Sequence, residues 1–130
     1  MRCYDTRTIN TFIIDPSGMG EHYVYCYVDP TNDEMFYVGK GKGGRYLWHL
    51  REKPIPNRTN FLKWHKIQQL IANGQCPKVF KLIQYISECK AYRIEQELIG
   101  SIGTIKKGSG PLTNMVTEGW ALYEIQNNRE

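Results

Sequence analysis

No run of 18 apolar residues occurs in this chain of 130, and no basic segment leads into an apolar stretch at its N-terminus. Neither a membrane span nor a secretory signal is therefore expected, and the protein is expected inside a cell, in cytoplasm, nucleoid or nucleus. Four cysteines stand at 3, 26, 76 and 89 without a CxxC pair or a tight Cys/His cluster. Zinc and a disulfide framework are both poorly supported, and reduced structural thiols are expected. No Gly-Lys-Ser/Thr occurs, which excludes a P-loop. The run Gly39-Lys40-Gly41-Lys42-Gly43-Gly44 satisfies GxGxxG at 39, 41 and 44, yet Pro54 and Pro56 soon follow where a dinucleotide site needs a long helix. Acidic residues are nearly absent from residues 39 to 66, where eight Lys or Arg face Glu52 alone. That local charge of +7, against +4 for the chain, leaves the remainder acidic. A stretch so charged beside a glycine loop suits a polyanion, whose phosphates Lys40 and Lys42 would neutralise where the backbone turns tightly.

What is present is globular composition, 41% apolar and 23% charged, in a length that fits one domain. Tyr23 to Val28 and Phe36 to Val38 read as strands, joined through the turn residues Asp29-Pro30-Thr31-Asn32-Asp33. Period two puts Tyr23, Tyr25 and Tyr27 on one face, with Tyr37 in reach on the neighbouring strand. Arg45 to Arg51 reads as a short helix. A second helix runs from a cap at Thr59 or Asn60 to about Asn73, with Phe61, Trp64, Ile67, Gln68 and Ile71 at helical spacing. Lys78 to Ile86 reads as a third strand, and Ser87 opens a helix to Ile102 whose apolar stripe is Ala91, Ile94, Leu98 and Ile102. Glu95 borders that stripe, while Glu97 points away from it. Residues 103 to 110 form a basic, glycine-rich loop. The expected fold is α/β, a small, mostly antiparallel three-stranded sheet flanked by helices in the order β-β-α-α-β-α. Residues 1–21 read as an extension in which Thr11 to Ile14 could form a short strand. The domain spans residues 22–118, and 119–130 form a tail packed on it through Trp120 and Tyr123.

Tyr23-Val24-Tyr25 and Tyr37-Val38-Gly39 are followed in order by Arg45, His49, Glu95 and, in Pro111-Leu112-Thr113-Asn114, by Asn114. These ordered features resemble the GIY-YIG nuclease superfamily. The run Phe36 to Arg45 is most similar to its branch of LEM-domain nucleases, which act on branched DNA. The chain departs from the pattern at Tyr23, which replaces the first motif's glycine, and in carrying valine for both isoleucines.

The resemblance implies a metal-dependent endonuclease hydrolysing DNA phosphodiesters, with Tyr25, Tyr37, Arg45, His49, Glu95 and Asn114 as site residues and Glu95 holding one Mg²⁺, for which Mn²⁺ could substitute. A tyrosine base suits this chemistry only if ionised, and its reference pKa near ~10 makes that cost about 4 kcal/mol at neutral pH. Arg45, Lys40 and a metal ion would supply compensating charge. Tyr25 or Tyr37 could be the base, and the residues do not order the two. Arg45 would fork onto the scissile phosphate, His49 lies one turn later on the same face, and Asn114 would position Glu95 or a bound water. Lys40, Lys42, Arg51, Arg58, Lys63 and Lys66, interleaved with Trp48 and Trp64, would line a nucleic-acid groove. Duplex DNA, branched DNA and RNA all remain open as substrates, as does the oligomeric state. The rival reading is a nuclease-like fold that binds DNA or RNA without cutting it.

Overall fold

The computed structural model describes residues 10–115, so the expected packing of Trp120 and Tyr123 lies outside the described residues. The elements are β1 (Asn10–Ile14), β2 (His22–Asp29), β3 (Glu34–Lys42), α1 (Arg45–Trp48), α2 (Phe61–Ala72), β4 (Lys78–Ile86) and α3 (Glu88–Ile102). They form an α/β fold around one sheet in the order β1-β4-β2-β3. From β2 onward the expected order of elements is observed. The sheet has four strands because Asn10 to Ile14 pairs in parallel with Phe80 to Gln84, whereas the β2–β3 and β2–β4 pairings are antiparallel.

β2 lies between β4 and β3 and is buried from Tyr23 to Asp29. Alternation divides it between two cores. Tyr23, Tyr25 and Tyr27 pack with Leu50 and with Ile67 and Leu70 of α2, while Val24, Cys26 and Val28 pack with Val38 and with Ala91 and Ile99 of α3. The sheet is thus covered by α2 on its tyrosine face and by α3 on the other. Register shifts beyond the Tyr27–Tyr37 pair, so that Val28 meets Met35 and Phe36 joins Tyr37 on the tyrosine side as the extra residue of a bulge.

Phenols can be buried at this density only if their hydroxyls find partners, since an unpaired one costs about 1–3 kcal/mol. Tyr23 donates to the Gly43 carbonyl at 2.8 Å and accepts from the Tyr46 amide at 3.0 Å; Tyr27 donates to the Tyr46 carbonyl at 2.7 Å. These bonds dock the segment carrying α1 onto β2. They also account for Tyr23 at the first motif position, where its hydroxyl closes the glycine loop.

Both long helices begin where their caps predict. Asn60 accepts from the Lys63 amide, resolving the choice between Thr59 and Asn60, and Ser87 accepts from the Lys90 amide. The α3 stripe faces the core as expected. On α2 the buried residues are Lys63, Ile67 and Leu70, and Phe61 is exposed. The helix is rotated by about one residue from the expected face, which seats Lys63 inward against the buried His49 and Glu52. Cys26 and Cys89 are free, as expected, but Cys76 is disulfide-bonded, correcting the expectation of a reduced thiol there. No helix among the described residues is long and apolar enough to cross a membrane.

Candidate active site

Two glycines form the floor of the site. Gly39 pairs across the strands with Tyr25, and a Cβ there would meet the Tyr25 Cζ and hydroxyl oxygen at 2.5 Å. At Gly41, two residues along the same face, a Cβ would meet Arg45 Cγ at 2.5 Å and Cβ at 2.6 Å. The glycines therefore admit a phenol and an arginine side chain directly onto the backbone of β3.

Behind Tyr25 runs a buried polar chain. The Tyr25 hydroxyl lies 2.5 Å from His49 Nε2, and His49 Nδ1 lies 2.6 Å from Lys63 Nζ. Lys63 Nζ is in turn 3.0 Å from Glu52 Oε1, an ion pair with both side chains buried. The contact is an ion pair, and Glu52 Oε1 makes no hydrogen bond among the described residues. Burial, then the Lys63 and Arg45 charges, push the His49 pKa down to about 2, so the imidazole is neutral at physiological pH. Burial lowers the Lys63 pKa, and Glu52 opposes that shift.

Tyr25 and Tyr37 have ring centroids 6.3 Å apart, tilted by 45°. Burial pushes the Tyr25 phenol well above its usual range; Tyr37 and Tyr27 add to the shift and Arg45 opposes it. Tyr37 is raised likewise by burial and then by Glu95, again against Arg45. Tyr25 is 1% exposed, whereas Tyr37 is partly exposed and is the phenol nearer to solvent.

Arg45 and Trp48 are exposed at the mouth of this arrangement, with the guanidinium carbon 4.5 Å from the Trp48 ring centroid. Stacking leaves the planar edge of a guanidinium available for a fork onto an oxyanion.

Glu95 reaches the sheet from α3. Its carboxylate accepts from Gln96 Nε2 at 3.1 Å. Burial nevertheless raises its pKa to about 7, with the Gln96 bond and the Lys40 charge opposing. A desolvated carboxylate with this little compensation fits a hard dication. Among the described residues no group of three or more His, Cys, Asp or Glu converges on a metal site. A cation held by Glu95 would therefore complete its shell with water and substrate oxygens, which Mg²⁺ readily does.

Tyr25, Tyr37, Arg45, His49 and Glu95 are thus brought together. Asn114 is placed differently from the expected role: its side chain accepts from the Val38 amide at 3.1 Å and donates to the Val38 carbonyl at 2.7 Å. Both ends of its amide clamp the strand that carries Tyr37 and Gly39. Thr113 reinforces the clamp by donating its hydroxyl and backbone amide to the Phe36 carbonyl. Of the expected nucleic-acid cations, Lys42, Arg51 and Arg58 are exposed and Lys40 is partly buried with its Nζ over the Tyr92 ring. Lys66 is ion-paired with Asp29 at 2.6 Å. Lys63 is buried and offers no surface to a phosphate, which corrects its expected place in the groove. Reading the sequence also passed over Glu52, although it is the lone acid in the basic stretch. Lys63, at i, i+4 and i+7 spacing with Ile67 and Leu70, was likewise readable as a lysine on a core face.

Paired motif strands with glycines under a phenol and an arginine, and a glutamate arriving from α3, define a domain of the GIY-YIG class. The family model for the LEM-3-like GIY-YIG domain matches residues 10–124, and the chain belongs to that family. It is a family of nuclease domains, whose substrates are nucleic acids and which typically use a divalent metal. No curated protein and no solved structure matches the chain.

Proposed function

We propose that this domain is a metal-dependent endonuclease that hydrolyses phosphodiester bonds in DNA. The observation that carries the reading is the convergence of two neighbouring tyrosines, an exposed arginine and a desolvated carboxylate on the β2–β3 hairpin.

Tyr25 and Tyr37 act together as the base. One phenolate shared by the pair takes a proton from the attacking water; Tyr37 is the member nearer solvent, and His49 hydrogen-bonds the Tyr25 oxygen from the buried side. The starting cost exceeds about 3 kcal/mol at pH 8, since burial raises both phenols above their ordinary value near 10. Arg45 offsets part of it, because its charge lowers both phenols. The same guanidinium is exposed and pre-stacked on Trp48, and it binds the phosphate oxygens and stabilises the charge gathering there in the transition state. Glu95 would hold Mg²⁺, or Mn²⁺ in its place, and the cation would supply positive charge to the departing group. Lys42, Arg51 and Arg58 contact the flanking backbone.

The test is cleavage of labelled linear, branched and single-stranded DNA and of RNA with added Mg²⁺. Wild type is compared with Tyr25→Phe, Arg45→Ala and Glu95→Gln at equal folded content. Cleavage by wild type and its loss in the variants are expected. Tight, salt-sensitive binding with no cleavage by wild type would replace this reading with a non-cutting nucleic-acid module.

A further inference from the structure

This inference rests on the nuclease reading and concerns how its tyrosine pair is held. His49 is gripped at both ring nitrogens, Nε2 by the Tyr25 hydroxyl at 2.5 Å and Nδ1 by Lys63 Nζ at 2.6 Å. A neutral imidazole has one donor and one acceptor, whereas an ammonium has donors only. Lys63 is 3% exposed on the core face of α2, and its partner Glu52 is nearly as buried. A buried ion pair is a poor source of stability, since apolar residues of similar volume often do as well or better in its place. Packing alone gives no reason for a lysine here.

We infer that Lys63, kept as an ammonium by Glu52, is a positioning residue that donates to His49 Nδ1, confines the imidazole proton to Nε2, and so makes His49 a hydrogen-bond donor to Tyr25. His49 then does not receive the Tyr25 proton. A proton on Nδ1 would point at an ammonium 2.6 Å away. The donors instead run in one direction, from Lys63 through His49 to the Tyr25 oxygen. The tyrosine pair releases one proton to solvent before turnover and recovers one from the attacking water during it. Around Tyr25, Tyr27 on β2, Tyr37 on β3 and Glu95 on α3 oppose a negative charge, and Arg45 on α1 favours it. Arg45 acts from the open side and the Lys63–His49 chain from the buried side.

The test uses the full chain without metal or DNA. Nitrogen-15 histidine spectra report the His49 tautomer, assigned with His49→Gln, and carbon-13 Cζ tyrosine spectra follow Tyr25, assigned with Tyr25→Phe. A single Nε2–H tautomer is expected in wild type, and Lys63→Met moves it towards Nδ1–H while raising the pH at which the pair ionises. In cleavage, Lys63→Met shifts the acid limb of the pH–rate profile upward by about one unit, a roughly ten-fold loss at fixed pH below the limb, with KM for DNA little changed. Glu52→Gln preserves side-chain size and serves if Lys63→Met does not fold; the Nε2–H tautomer then gives way at a lower pH than in wild type. An Nδ1–H tautomer in wild type, or a tautomer indifferent to both substitutions, overturns the inference. Wild type that cuts no DNA or RNA while holding the Nε2–H tautomer overturns the nuclease reading alone. Cleavage by a wild type with the Nδ1–H tautomer overturns this inference alone.

Discussion

The Tyr25 phenol rests on Gly39 so closely that a methyl at that position would overlap both Cζ and the hydroxyl oxygen. Gly39→Ala must therefore displace the phenol or the strand. Overpacking of this kind costs about 1–3 kcal/mol, and the displaced phenol is expected to lower cleavage at least about ten-fold beyond any loss of folded protein. Urea denaturation and single-turnover cleavage read the two effects separately. Cleavage that merely tracks folded content would mean that Tyr25 is not part of the base.

Arg45 is exposed, so replacing it is expected to change the reaction and not the fold. Arg45→Lys keeps the charge but loses the planar fork and the stack on Trp48. The expected outcome is about a 10²–10³-fold fall in the single-turnover rate, with DNA affinity nearly retained and thermal stability unchanged. A variant cutting at the wild-type rate would reduce Arg45 to a point charge.

His49 and Glu95 titrate in opposite senses. The His49 pKa falls from 6.5 to about 2 on folding. The unfolded chain therefore binds the extra proton, and stability is lost as pH drops below 6.5. The Glu95 pKa rises from 4.5 to about 7. The folded chain now binds the extra proton, and stability is lost as pH rises from 4.5 to 7. Each slope is at most about 1.4 kcal/mol per pH unit, so they nearly cancel between 4.5 and 6.5 in metal-free wild type. Removing one group exposes the other. His49→Gln is expected to gain stability as pH falls through that window, and Glu95→Gln to lose it. Parallel wild-type and variant curves in urea denaturation at pH 4.8, 5.5 and 6.3 would contradict both shifts.

Asn114 touches Val38 at both ends of its amide, so Asn114→Ala leaves a buried amide and a buried carbonyl of β3 unpaired. About 2–4 kcal/mol of stability should be lost. If the clamp is its whole contribution, cleavage per folded molecule falls only as far as Tyr37 and Gly39 shift. Loss of Mg²⁺ affinity in a fully folded Asn114→Ala protein, measured calorimetrically, would instead restore the expected role beside Glu95.

The legible parts of this protein were those that local chemistry decides. The alternation of tyrosines with Val24, Cys26 and Val28 marked a strand with two distinct faces, and Ser87 and the Thr59–Asn60 pair marked where helices begin. The motif order pointed to the GIY-YIG family, and the family match over residues 10–124 agrees with that recognition. Less legible were features that depend on which distant segments meet. The pairing of β1 with β4 joins residues about seventy positions apart, and Asn114 meets Val38 across a similar separation.

Determined by the sequence itself, then, were the class of fold, the boundaries of its main elements and the identity of the residues that converge, because periodicity, caps and glycine placement act within a few residues. Tertiary structure alone decided their electrostatic standing. Burial made His49 neutral, raised Glu95 and both phenols, and turned Lys63 from a surface cation into the inner end of a buried chain. Those effects follow from the removal of water around a charge, and only packing against α2, α3 and the loop after α1 removes it.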